Sequence, residues 1–126
     1  MKHTTAKVIG IVAALAAFSS PALADGDADA GKKVFNKCKA CHTLVEGKNK
    51  VGPSLFGVMG KSAASVNGFK YSKAMKASSL TWDDETLKKF LTKPKSLVPG
   101  TRMAFAGLKK EKDIENVIAY LKANGG

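Results

Sequence analysis

A chain of 126 residues with 21 lysines and arginines, 10 acidic residues and a formal charge of +11 accommodates one small domain with a modest core and little surplus stability. That basic excess points to acidic partners, among which nucleic acid is the usual candidate. Two cysteines and two histidines leave little for a structural zinc site, which takes four ligands, because His3 lies in a segment read below as removable.

In chain order, the first 24 residues read as an export leader. Lys2 and Lys7 supply a positive start, Val8 to Phe18 is an apolar run, and Pro21-Ala22-Leu23-Ala24 ends in the small-x-small pattern of a cleavage site. The run is shorter than the ~20 residues a membrane-spanning helix needs, so cleavage is expected rather than anchoring. The domain is then 25–126, with 19 basic residues against 10 acidic ones, and export argues against nucleic acid as the partner.

Asp27 is placed to cap a helix reaching Cys38, with Val34, Phe35 and Cys38 at helical spacing on its inner face. Gly31 costs that helix about 1 kcal/mol relative to alanine. Either a close crossing by another helix or a tolerated surface position would account for it.

Cys38-Lys39-Ala40-Cys41-His42 is the C-x-x-C-H pattern of covalent haem attachment. Residues three apart on a helical turn share a face, so Cys38 and Cys41 can each form a thioether to one edge of a porphyrin while His42 binds its iron. A thioredoxin-like pair would call for an α/β pattern that is absent here, and a disulfide would leave His42 unexplained.

After His42, Gly47, Gly52-Pro53, Gly57, Gly60 and Gly68 punctuate a long stretch without sustained periodicity. Loops of this length in a small domain suit a segment wrapped round a cofactor. Residues 70–77 form a short expected helix. Thr81-Trp82-Asp83-Asp84 opens another with a hydroxyl cap; Leu87, Phe90 and Leu91 give its apolar face and Pro94 ends it. Ile114, Val117, Ile118 and Leu121 mark a last amphipathic helix, Glu111 to about Lys122, with no side chain suited to cap its start. The fold class is all-α. For the second axial position Met59, Met75 and Met103 compete, and Met103, in a stiff loop after Pro99-Gly100, stands ahead.

These marks together resemble class I cytochrome c, the mitochondrial type and its bacterial periplasmic counterparts. The resemblance runs through Gly31-Lys32-Lys33-Val34-Phe35, Cys38 to Thr43, Gly52-Pro53, Tyr71, Trp82, Pro99 to Gly107 and Ile118-Ala119-Tyr120-Leu121. It implies the cytochrome c fold, with three main helices plus short helices and loops around one haem c, bound through Cys38 and Cys41 and ligated by His42 and Met103. It further implies that the Pro53 carbonyl accepts the His42 Nδ1 proton, that Gly31 and Phe35 pack on the last helix, and that Tyr71, Ser72 and Trp82 hydrogen-bond a buried propionate. Phe90 and Met75 replace polar residues of the mitochondrial pattern, implying a drier pocket.

The function implied is that of a monomeric periplasmic electron carrier, not an enzyme. It would run between a quinol-oxidising bc complex and a terminal oxidase or photosynthetic reaction centre, docking through Lys33, Lys37, Lys50, Lys95, Arg102, Lys109 and Lys110.

Overall fold

The computed structural model describes residues 26–125, with Gly10 and Ile11. Apart from those two positions, the expected leader over residues 1–24 lies outside the described residues, as does Asp25. Among the described residues five helices follow in order: α1 (Ala28–Phe35), α2 (Lys73–Ala77), α3 (Asp84–Thr92), α4 (Pro94–Leu97) and α5 (Glu111–Ala123). Among the described residues the only β pairing is an isolated antiparallel bridge between Ser62 and Thr81, so the all-α expectation holds.

Asp27 caps α1 as expected, its carboxylate accepting from the Asp29 and Ala30 amides at 2.8 and 3.3 Å. Its own N–H donates to Asn116 Oδ1 at 2.8 Å, which fastens the start of α1 to the middle of α5. Gly31 lies at the crossing. A Cβ there would overlap the Asn116 carbonyl and sit 2.8 Å from Tyr120 Cβ, which decides the question the sequence left open in favour of a close helix crossing. One turn on, Phe35 is 3% exposed and its ring meets Tyr120 at 5.2 Å, tilted 48°.

The first helix stops short of Cys38. Beyond Phe35 the chain keeps coiling through bonds that span three residues (Cys38 N to Phe35 O, 2.8 Å; Cys41 N to Cys38 O, 3.1 Å) mixed with four-residue bonds. The coil is thereby tightened into irregular turns, and these carry the C-x-x-C-H residues.

The expected 70–77 helix begins later, at Lys73, because Ser72 turns its Oγ to the Met75 amide at 3.0 Å and becomes the cap. In α3 the capping residue is Asp83 rather than Thr81; its carboxylate accepts from Thr86 N at 2.7 Å, and a charged acceptor at that position is the stronger partner. The third helix does end before Pro94, yet Pro94 also opens α4, which sequence reading missed. At a first helical position proline's missing N–H removes no bond. The last helix, α5, starts without a side-chain cap, as read.

The helix α5 is crossed by α1 and flanked by α3. Ile114, Val117, Ile118 and Leu121 from α5 join Phe35, Leu87, Phe90, Leu91, Val98 and Leu108 in one buried core. Around it the loops place half-buried apolar side chains, among them Leu44, Leu55, Val58, Leu80, Leu97 and Phe105. The segment from Gly60 to Trp82 is closed at its base by three backbone bonds of 2.8 Å: Gly60 N to Trp82 O, Trp82 N to Lys61 O, and Ala63 N to Leu80 O.

Candidate haem site

Cys38 and Cys41 are free thiols, both half-buried, so the pair is not a disulfide. Burial pushes the Cys38 thiol above its ordinary pKa; neighbouring Lys37 opposes this and Cys41 adds to it. Until its thioether to the haem forms, the side chain is therefore a protonated thiol at neutral pH.

His42 follows on the same turn, its N–H bonded to Cys38 O at 2.9 Å. Its Nδ1 lies 2.7 Å from Pro53 O. A carbonyl only accepts, so Nδ1 carries the proton and Nε2 keeps its lone pair. Burial lowers the imidazole pKa below its usual 6.5, partly countered by the Pro53 bond, which keeps the ring neutral around pH 7. Gly52 backs this ring: a Cβ there would overlap Cε1 and sit 2.8 and 2.9 Å from Nδ1 and Nε2. Only glycine allows so close an approach.

Two thiols and an imidazole with a free Nε2, next to half-buried apolar side chains, are the donor set and setting that a covalently bound haem requires. Met103 is half-buried against the core, in the loop between α4 and α5. Gly100 at φ +92° turns that loop, and the Met103 amide donates to Thr101 Oγ1 at 3.3 Å. Met59 and Met75 are also half-buried against the core, with Ser78 Oγ 4.0 Å from Met75 Sδ.

The residues expected at a propionate are placed as follows. The Tyr71 hydroxyl accepts from Val66 N at 3.0 Å, and its ring meets Phe69 edge-on at 4.9 Å. Burial pushes the Tyr71 phenol upward, against the Val66 bond. Ser72, buried, uses its Oγ as an acceptor in capping α2. Both hydroxyls thus keep a proton to donate to an anion. Trp82 is 9% exposed and packs on Phe90 at 4.9 Å, tilted 49°, so Phe90 fills the core with hydrocarbon.

All seven expected docking cations are exposed. The ion pairs among the described residues, Lys88–Glu115, Lys89–Glu85 and Lys122–Asp84, use none of them. Lys50 Nζ donates to Lys39 O at 2.8 Å, and Arg102 reaches Lys70 O at a long 3.5 Å. Lys37, Lys109 and Lys110 come together round a groove of about 300 Å³ that also holds Asp113. Sequence reading missed Asn49 and Ser54, which brace the Pro53 peptide; their one signal was a pair of turn-forming polar residues flanking Gly52-Pro53.

Fold and donor set define a c-type haem protein. The cytochrome c family model matches residues 28–124. Cytochrome c-554 of Methylosinus trichosporium is 46% identical over 99% of this chain and 96% of its own length. Cytochrome c2 of Rhodoblastus acidophilus is 54% identical over 79% and 97% respectively. The solved structure of cytochrome cH from Methylobacterium extorquens superposes with a TM-score of 0.74 at 49% identity, covering 78% of this chain and 99% of that one. The chain belongs to the cytochrome c family. It binds one haem c covalently, through Cys38 and Cys41, and serves as an electron carrier to redox partners rather than as an enzyme.

Proposed function

We infer that this cytochrome works in the periplasm, its iron held by His42 and Met103, and moves single electrons from a quinol-oxidising bc complex to a terminal oxidase or photosynthetic reaction centre. The observation that carries this reading is the 2.7 Å contact between His42 Nδ1 and Pro53 O, which leaves Nε2 as the ligating nitrogen beside the two thiols. The bound haem supplies a reversible one-electron change at iron.

The remaining roles fall to the chain. Met103 offers a soft, uncharged sulfur that would favour the ferrous state and would occupy the position a gas or peroxide needs. Tyr71, Ser72 and Trp82 offer donors to a propionate that must keep its charge away from water. The leader over residues 1–24 supports export, and among the described residues no helix is long and apolar enough to cross a membrane. The exposed Lys33, Lys37, Lys50, Lys95, Arg102, Lys109 and Lys110 suit brief, steered docking of a monomer on acidic surfaces with rapid release.

Carbon monoxide added to the reduced holoprotein tests the closed iron site. No binding at neutral pH is expected, and rapid binding would contradict ligation by Met103. Electron delivery to the partner complexes should slow as salt rises above physiological strength; a rate indifferent to salt would remove the cations from the docking step.

A further inference from the structure

The peptide unit between Pro53 and Ser54 is gripped from both ends. Its carbonyl takes the His42 Nδ1 proton at 2.7 Å, and its N–H, the Ser54 amide, donates to Asn49 Oδ1 at 2.9 Å. The Asn49 side-chain amide in turn donates through Nδ2 to Asn67 O at 3.1 Å. This pair of bonds fixes the orientation of the amide, since flipping it would set donor against donor and acceptor against acceptor. Ser54 is 3% exposed and its Oγ donates to Val45 O at 2.6 Å, so the Ser54 backbone is held on its side-chain face as well. On the proline side, Gly52 N donates to Cys41 O at 2.8 Å. The relay His42–Pro53–Ser54–Asn49 therefore runs through a single, part-buried amide.

We propose that Asn49 is a positioning residue that tunes the electron affinity of the haem iron through the Pro53–Ser54 amide and the His42 ring. The proposal rests on ligation by His42. Chained hydrogen bonds polarise one another, and a low local dielectric strengthens the effect. Accepting from the Ser54 N–H draws electron density in that amide onto the Pro53 oxygen. A more negative oxygen pulls harder on the Nδ1 proton, making the imidazole more electron-rich at Nε2. An electron-rich ligand favours the ferric state, so Asn49 lowers the reduction potential. Through Asn67 O the same side chain ties the relay to the loop that carries Tyr71.

The test uses the haem-loaded protein, comparing wild type, Asn49→Ala, Asn49→Asp and Asn67→Asp. Two quantities are measured in each: the midpoint potential by spectroelectrochemistry, and the His42 Nδ1–H resonance by proton NMR of the reduced form. For Asn49→Ala the expected result is about a threefold higher ratio of reduced to oxidised protein at fixed ambient potential, a rise of about 30 mV at 59 mV per decade for one electron. The ring-proton resonance should move upfield as its hydrogen bond weakens. Asn49→Asp gives up the bond to Asn67 O but is the stronger acceptor for the Ser54 amide, and should shift both in the opposite direction. Asn67→Asp adds the same charge at an exposed neighbour without an oxygen on the relay. It should lower the potential less and leave the ring proton in place.

Should Asn49→Ala not fold, the two aspartate variants carry the comparison alone. An Asn49→Ala protein that melts earlier but keeps both the wild-type potential and resonance would reduce Asn49 to a loop brace and overturn the proposal. Equal potential shifts in the two aspartate variants, with the ring proton unmoved in both, would do so as well. If the wild-type holoprotein lacked iron–histidine signatures, His42 would not be a ligand and the reading of the site would fail first, an outcome visible without any of the variants.

Discussion

The two halves of this small domain are held together differently. Where α1 crosses α5, backbone lies against backbone at Gly31 and Asn116, Phe35 and Val117 are 3% and 2% exposed, and the Asp27 cap ties one helix to the other. The loops between His42 and Trp82, and between Val98 and Leu108, keep Leu44, Leu55, Leu80, Met103 and Phe105 only half-buried. The helical half closes on its own side chains. The loop half makes few regular hydrogen bonds and leaves its apolar side chains half-buried, where a bound haem would complete the core.

The largest effect should come from leaving that second half without its cofactor. A Cys38→Ser/Cys41→Ser chain prepared without haem should lose the cooperative thermal transition of the holoprotein, followed by near-UV circular dichroism. A haem-free chain that melts as sharply as the holoprotein would erase the distinction between the halves. Next comes the helix crossing. Gly31→Val places a branched side chain against the Asn116 carbonyl and should cost about 3 kcal/mol or more by denaturant unfolding of the holoprotein. A loss below ~1 kcal/mol would show that the crossing yields.

A smaller change is expected where the halves meet. Gly52→Ala presses a methyl on the His42 ring and should cost about 1–3 kcal/mol, with altered absorbance of the haem. An unchanged spectrum would mean the ring is not held as described. The smallest effect concerns Asp83 at the start of α3. Its bond to the Thr86 amide holds its carboxyl below the ordinary 3.8. A depressed folded-state pKa stabilises the fold above the unfolded-state value, and that stability is lost as pH falls through the folded one. The stability gap between wild type and Asp83→Ala should therefore be full at neutral pH and close on acidification below the ordinary carboxylate range. A gap independent of pH would remove the charge from the cap.

Sequence reading succeeded where physics is local. The C-x-x-C-H turn, the Asp27 cap and the apolar stripe of α5 each depend on spacing within a few residues, and each stands where expected. Resemblance to a known family supplied the bond from His42 to Pro53. Misplaced elements had competing solutions close at hand: Asp83 displaced Thr81 as a cap, Ser72 delayed α2, and Pro94 both ended one helix and began another. Asn49 gave only the weak signal of a turn-forming residue, because its meaning depends on Ser54 and on Asn67, 18 residues away, which no periodicity links.

An iron gripped by His42 nitrogen and Met103 sulfur is the arrangement proposed for this cytochrome. X-ray absorption at the iron edge of the oxidised holoprotein reads that directly. A sulfur scatterer in the first coordination shell of the wild type, lost in Met103→Ala and retained in Met59→Ala and Met75→Ala, is the predicted result. A wild-type shell of nitrogen and oxygen alone, or a sulfur that survives removal of Met103, would contradict it.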